Sequence, residues 1–306
     1  MTATIELRAG GARVTLAPAI GGAIAAFALD AEDVLRPMPA EAISRGDVRL
    51  AAAYPLIPYS NRIRDARLRV CGVEHELVRN FGDDPNSIHG VGWQSRWRVD
   101  RANATSAQLA LDHDAAGAAA RAWPWPFAAM QTFALLARDR GATLATTMTI
   151  RNTGDAAFPF GLGWHPYLPR TPATTLAFGA DGVWRNDANM LPVAHVALPP
   201  AWNFAQPRAI GAAALDNVFT GFDGRARLAT PGSPLVTTID ADSACRCVVV
   251  YAPPARDFVA IEPVTHETDA FNREADGATR TGTRWLPPGA AFSCTMRITA
   301  ARSPSA

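Results

Sequence analysis

The sequence of 306 residues is 48% hydrophobic and 19% charged, with a formal net charge of +1. A chain of that length can bury a large core, and a charge so close to zero offers no field for nucleic acid or a membrane surface, so neither is an expected partner. No stretch approaches the ~20 uninterrupted apolar residues of a membrane span, and Met1 to Arg8 lacks the basic and apolar regions of a secretory signal, which makes the cytoplasm the expected compartment.

Taken in chain order, the dominant hydrophobic period is two rather than 3.6. Ile5 and Leu7, then Val14 and Leu16, read as two strands with Gly10 and Gly11 as a hairpin turn. Leu144, Met148 and Ile150 alternate with Thr143, Thr147 and Thr149, as a half-buried strand does. The unbroken run from Cys247 to Tyr251 suits a strand covered on both faces. Phe292, Cys294, Met296 and Ile298 alternate with Ser293, Thr295, Arg297 and Thr299. Cys71, Cys245, Cys247 and Cys294 are too few and too irregularly spaced for a disulfide scaffold or a Cys-x-x-Cys metal site, and read as core residues, with Cys245 and Cys247 on one face.

The 24 prolines and 23 glycines leave few helical windows, and the alanine-rich pieces Ala115 to Arg121 and Ala209 to Ala214 are short. The pattern predicts an all-β fold, a large antiparallel β-sandwich. With no internal repeat and no linker, a single domain over residues 1–306 is expected, with 302–306 as a loose tail. Nothing in the sequence fixes an oligomeric state.

Glu262 ends an apolar run and precedes Pro263, which disfavours helical backbone at the residue before it, so the acid is expected extended at a strand end. Three local readings stay open: a metal cluster of Glu262, His266, Glu267 and Asp269, a catalytic carboxylate, or a strand followed by a polar turn. Four other stretches also break the alternation, and each has a plain structural reading. Arg62, Arg64 and Arg67 can form the outward face of a strand, and His89 can be a turn residue before Gly90. His165 can be a satisfied histidine before Pro166, and Asp216 a turn or cap aspartate.

Five motifs in one order resemble the aldose 1-epimerase, or galactose mutarotase, family. They are Asn61-Arg62-Ile63, His89-Gly90 with Trp93, Asn152-Thr153-Gly154 ahead of Gly163 to Tyr167, Asp216 within Leu215 to Phe219, and Glu262-Pro263. The resemblance spans nearly the whole chain and implies a galactose mutarotase-like supersandwich whose concave face binds a free sugar and interconverts its anomers without a cofactor. It implies Glu262 as general base and His165 as general acid, with His89, Arg62 and Asp216 holding sugar oxygens and Asn61 and Trp164 shaping the pocket. The metal reading of Glu262 then falls away.

The implied substrate is a free hexose such as galactose or glucose. The alternatives are a hexose 6-phosphate or a noncatalytic sugar-binding role. Related enzymes of hexose 6-phosphates resemble this chain but carry Trp-Pro-Trp-Phe-Gly where it has Ile57-Pro58-Tyr59-Ser60-Asn61, which favours a neutral sugar. A phosphorylated one would require a basic cluster beside the cleft. Trp164 replaces the phenylalanine or asparagine expected before the histidine, a departure at the expected substrate edge.

The chemistry matches those residue types. Mutarotation opens a hemiacetal ring, lets the aldehyde rotate and closes it on the other face, so a proton must leave the anomeric hydroxyl as another reaches the ring oxygen. A carboxylate and an imidazole can exchange those roles near neutral pH, each supplying about 10²- to 10⁴-fold. Trp93, Trp164 and Tyr167 offer flat faces with polar edges for a small-molecule cleft. A Gly-x-Ser-x-Gly elbow, P-loop, His-Glu-x-x-His pair and dinucleotide fingerprint are all missing from the sequence, which leaves other catalytic plans without their equipment.

Overall fold

The predicted alternation builds two large antiparallel sheets in a computed structural model that describes residues 4–303. One sheet has nine strands and contains the long strands Phe127–Arg138, Gly141–Asn152 and Ala291–Arg302 side by side. Its outer face is a ladder of hydroxyls, with Thr143 bonded to Thr299, Thr147 to Thr295 and Thr149 to Ser293 at 3.0, 2.9 and 2.7 Å. Its inner face carries Leu144, Met148, Met296 and Ile298, all fully buried.

The second sheet runs in the order Pro192–Ala197, Gly182–Asn186, Leu215–Thr220, Cys247–Ala252, Phe258–Val264, Gly163–Trp164 and Pro55–Leu56, with Tyr167–Pro169 also paired to Phe258–Val264. Val248, Val250, Val259 and Ile261 point into a core shared with the nine-stranded sheet. Val249, Ala260 and Val264 point the other way, into a second apolar cluster with Tyr54, Leu56 and Tyr167. The Cys247 run is therefore covered on both faces, as its unbroken hydrophobicity predicts. A separate four-stranded sheet begins with the hairpin Ile5–Ala9 and Ala12–Ala17, whose pairing of Ala9 with Ala12 leaves Gly10 and Gly11 as the turn. Helices among the described residues are short, the longest being Ala40–Arg45 and Ala270–Ala275.

Four expectations are corrected. Glu262 is not at a strand end, because its strand continues through Pro263 to Val264, which pairs with Cys247 on one side and Gly163 on the other. Cys245 and Cys247 do not share a face: the strand starts at Cys247, and Cys245 lies in the turn before it, packed in the other cluster. Cys71 is exposed rather than core. The C-terminal tail starts later than expected, since Arg302 is paired with Leu235 at the end of a strand; residues 304–306 lie outside the described residues.

Candidate active site

Sheet register brings the two central groups together. The pairing that sets Gly163 against Val264 and Tyr167 against Ala260 sets His165 against Glu262. Opposed residues on neighbouring strands share a face, and here His165 Nε2 lies 3.1 Å from Glu262 Oε1. Gly163 permits this approach, because a Cβ there would stand 2.7 Å from Val264 Cγ1. The pair is nearly closed to solvent, His165 being 6% and Glu262 2% exposed. The rings of Tyr54 and Tyr167 lie against the imidazole at 4.7 and 4.5 Å between centroids.

That burial governs the protons. Loss of water pushes the Glu262 carboxyl well above the usual carboxylate range, with Asp216 adding to the effect and Arg62 opposing it. The same desolvation pushes His165 down to about 3, and Arg36 adds to it. Both shifts favour the uncharged forms of the two groups. His165 Nδ1 has no hydrogen-bond partner, unusual for a buried nitrogen.

A loop locks the next histidine. The Asn61 backbone N–H donates to His89 Nδ1 at 3.0 Å, and the His89 N–H donates to the Asn61 carbonyl at 2.9 Å. An accepting Nδ1 places the ring proton on Nε2, making His89 a donor there. Burial holds His89 well below its ordinary pKa, with His165 and Arg62 adding, so the ring stays neutral. Asn61 and His89 both have left-handed backbone, at φ 59° and 62°. Gly90 follows at φ 70°, where a Cβ would strike the Ile57 carbonyl at 2.2 Å.

Arg62 is fixed from three sides. Its Nε donates to Asp84 Oδ2 at 3.3 Å, its Nη1 donates to Asn61 Oδ1 at 3.3 Å, and Nη1 stands 3.9 Å from Asp216 Oδ2. Asp216 lies in a strand opposite Tyr251, not in a turn or cap, and burial raises its carboxyl while Arg62 opposes that rise.

These groups line one cavity of about 340 Å³, at the small end of the ~300–1,000 Å³ range of ligand pockets. A small polar molecule fits such a space. Residues 3–299 match the model of a family described as aldose 1-epimerase. The chain belongs to the aldose 1-epimerase family. It is 29% identical over 84% of its length to the uncharacterised Escherichia coli K12 protein YphB, 86% of which is covered. Its fold superposes, at a TM-score of 0.87 and 26% identity, on an E. coli K12 protein provisionally named an aldose 1-epimerase, covering 98% of this chain and 99% of that one. An aldose epimerase homologue from C. elegans gives a TM-score of 0.81 at 17% identity, covering 99% and 100%. Membership of the aldose 1-epimerase family and the shared fold support a mutarotase-type isomerase acting on a small sugar.

Within this aldose 1-epimerase family member, Asn61, Arg62, His89, His165, Asp216 and Glu262 all line the cavity. Trp164 does not. Successive residues of a strand point to opposite faces, so the neighbour of His165 enters the inter-sheet core, where Trp164 is 1% exposed. Trp93 is also buried, behind His89, with its indole N–H donating to the Ile88 carbonyl at 3.1 Å. Tyr167 does reach the cavity, as expected. The sequence reading missed Arg36, Tyr54, Tyr251, Arg256 and Phe258. Phe258 carried a signal, since it stands an even number of residues from Glu262 in one strand; Tyr251 needed the register, and Arg36 had no signal at all.

His266, Glu267 and Asp269 do not gather with Glu262. His266 Nε2 accepts the Ser60 N–H at 3.1 Å and its Nδ1–H donates to the Glu267 carbonyl at 2.7 Å. Glu267 pairs with Arg273, and Asp269 accepts from the Arg64 N–H and the Asn272 amide.

Proposed function

We propose that this protein is an aldose 1-epimerase in activity, interconverting the α and β anomers of a free hexose, with galactose and glucose the first sugars to test. The observation that carries the reading is the buried His165–Glu262 pair, its Nε2 and Oε1 3.1 Å apart and facing a cavity. Ring opening starts from the ion-pair form, with a proton on His165 Nε2 and Glu262 ionised. Glu262 takes the proton of the anomeric hydroxyl as His165 Nε2 gives its own to the ring oxygen, leaving an aldehyde, a neutral imidazole and a protonated acid. After rotation about the bond to the aldehyde carbon, Glu262 returns its proton and His165 takes one back as the ring closes.

The pair passes from an imidazolium and a carboxylate to two neutral groups with no change in net charge, and burial favours the neutral pair that ring opening leaves. His89 Nε2–H and the Arg62 guanidinium supply donors to sugar oxygens, and Asp216 supplies an acceptor. Polarimetry of freshly dissolved α-D-galactose and α-D-glucose tests the reading. Wild type is expected to speed the decay of rotation, and Glu262→Gln to lose about 10²- to 10⁴-fold. No acceleration by wild type, or equal acceleration by the variant, overturns it.

A further inference from the structure

A histidine that acts as a general acid is ordinarily aimed by a hydrogen bond at its second ring nitrogen. His165 lacks one: Nε2 faces Glu262, and the buried Nδ1 has no partner among the described residues. Its own carbonyl favours a charged ring without meeting the geometry of a hydrogen bond. The other buried histidines among the described residues are held differently. His113 Nε2 lies 2.7 Å from the Trp123 carbonyl, and His266 Nε2 accepts the Ser60 N–H at 3.1 Å. Half-buried His89 is fixed likewise by the Asn61 N–H.

Aromatic faces stand in for that hydrogen bond. The His165 N–H donates to the Tyr54 carbonyl at 3.0 Å, so Tyr54 flanks the histidine across the sheet as Glu262 does on the other side. Tyr167 follows His165 by two residues and shares its face. Both rings pack against the imidazole, tilted only 31° and 30° from its plane. They also meet each other, with their hydroxyl oxygens 3.3 Å apart. Each has a further support: Trp93 lies 5.4 Å from Tyr54 between centroids, while Arg36 and Phe258 lie 4.3 and 5.2 Å from the centre of the Tyr167 ring. An imidazole stacked in this way cannot turn about its Cβ–Cγ bond without driving its edge into a neighbouring ring.

We propose that Tyr54 and Tyr167 are the positioning residues of His165, their ring faces setting the plane in which Nε2 meets both Glu262 and the ring oxygen of the sugar. This rests on the mutarotase reading above and deepens it. The faces suit the task in two ways. They hold the imidazole without adding a charge to a buried site, and a tyrosine face attracts a cation within ~6 Å of its centroid, which favours the imidazolium that starts ring opening. The hydroxyls tie the two tyrosines to each other and play no part in the stacking. Leucine at either position would fill the apolar cluster but offer no flat face, so packing and positioning can be told apart.

The test replaces each tyrosine twice, by leucine, which removes the face, and by phenylalanine, which keeps it. Tyr54→Leu and Tyr167→Leu are expected to lower kcat for mutarotation about 10- to 100-fold while KM moves by less than about 3-fold, since a misaimed acid slows the chemistry rather than the binding. Tyr54→Phe and Tyr167→Phe should recover all but about 3-fold of that loss. Denaturant melts of all four variants report how much folded protein each assay contains. Crystal structures give a readout independent of turnover: the His165 ring should superpose on wild type in the phenylalanine variants and be turned, or split between orientations, in the leucine variants. Leucine variants with the kcat of wild type overturn the inference and leave the mutarotase reading standing. Phenylalanine variants as slow as the leucine ones also overturn it, because the hydroxyls would then be the acting groups. A wild type that does not speed mutarotation overturns the mutarotase reading instead, and the positioning of His165 then fails as well if its ring keeps the wild-type orientation in both leucine variants.

Discussion

Two clusters of acid and imidazole lie a few residues apart along and beyond the Phe258–Val264 strand, and they use their polar atoms differently. In the cluster of His266, Glu267 and Asp269, both imidazole nitrogens are bonded and each carboxylate has a cationic or backbone partner. In the cluster of His165 and Glu262, Nδ1 has no partner and the carboxylate meets only a histidine, beside a cavity. A buried ionisable group whose valences are all met is architecture; a buried acid and imidazole that meet only each other beside a cavity are equipped to exchange protons. The two clusters should therefore answer mutation in opposite ways.

The largest expected effect sharpens that contrast at the reacting pair. His165→Gln should cost mutarotation about 10²- to 10⁴-fold, and the double variant with Glu262→Gln should be little worse than either single change, because ring opening needs the acid and the base to act together. Additive losses in stopped polarimetric assays would show two independent groups instead. Trp164 tests the face assignment: Trp164→Leu should lower unfolding free energy by about 2–4 kcal/mol and leave KM unchanged, as measured by denaturant melts and kinetics.

His266 tests the other cluster. Burial depresses its pKa to about 4, so the unfolded chain takes up a proton at pH values where the folded one does not. The stability of wild type should thus fall as pH drops from about 6.5 toward 4, by up to about 3 kcal/mol from this residue. His266→Gln should flatten that part of the curve while activity persists in the folded fraction; a lost activity would move His266 into the site.

Glu262 should show the reverse sign. Its folded pKa is raised, so the protein loses stability as pH rises from the unfolded value through the folded one. Glu262→Gln escapes this loss and should melt above wild type at neutral pH, while being the inactive protein. Activity of wild type should fall on the alkaline side as His165 loses the proton it gives to the ring oxygen, and a profile rising through that range would contradict that role.

Much of the fold was legible because its signals are local. Threonine alternation marked the strands Gly141–Asn152 and Ala291–Arg302, the Gly10-Gly11 turn marked a hairpin, and the valine run marked a strand covered on both faces. The candidate site was legible through residue types and motif order. The misplaced tryptophan shows the limit: Trp164 was read with His165 because they are adjacent, yet adjacency within a strand is what separates them onto opposite faces.

By itself, the sequence determined which residues could carry proton chemistry, that the chain would be built of strands, and which side chains in each strand share a face. Only the tertiary structure decided that His165 opposes Glu262, that His266 does not, and that Arg36 and Arg256 reach the same cavity. The physical reason is range. Side-chain alternation is set by the backbone of each strand, whereas neighbouring strands and their register depend on how distant segments pack, so partners nearly a hundred residues apart meet only once the sheet is assembled.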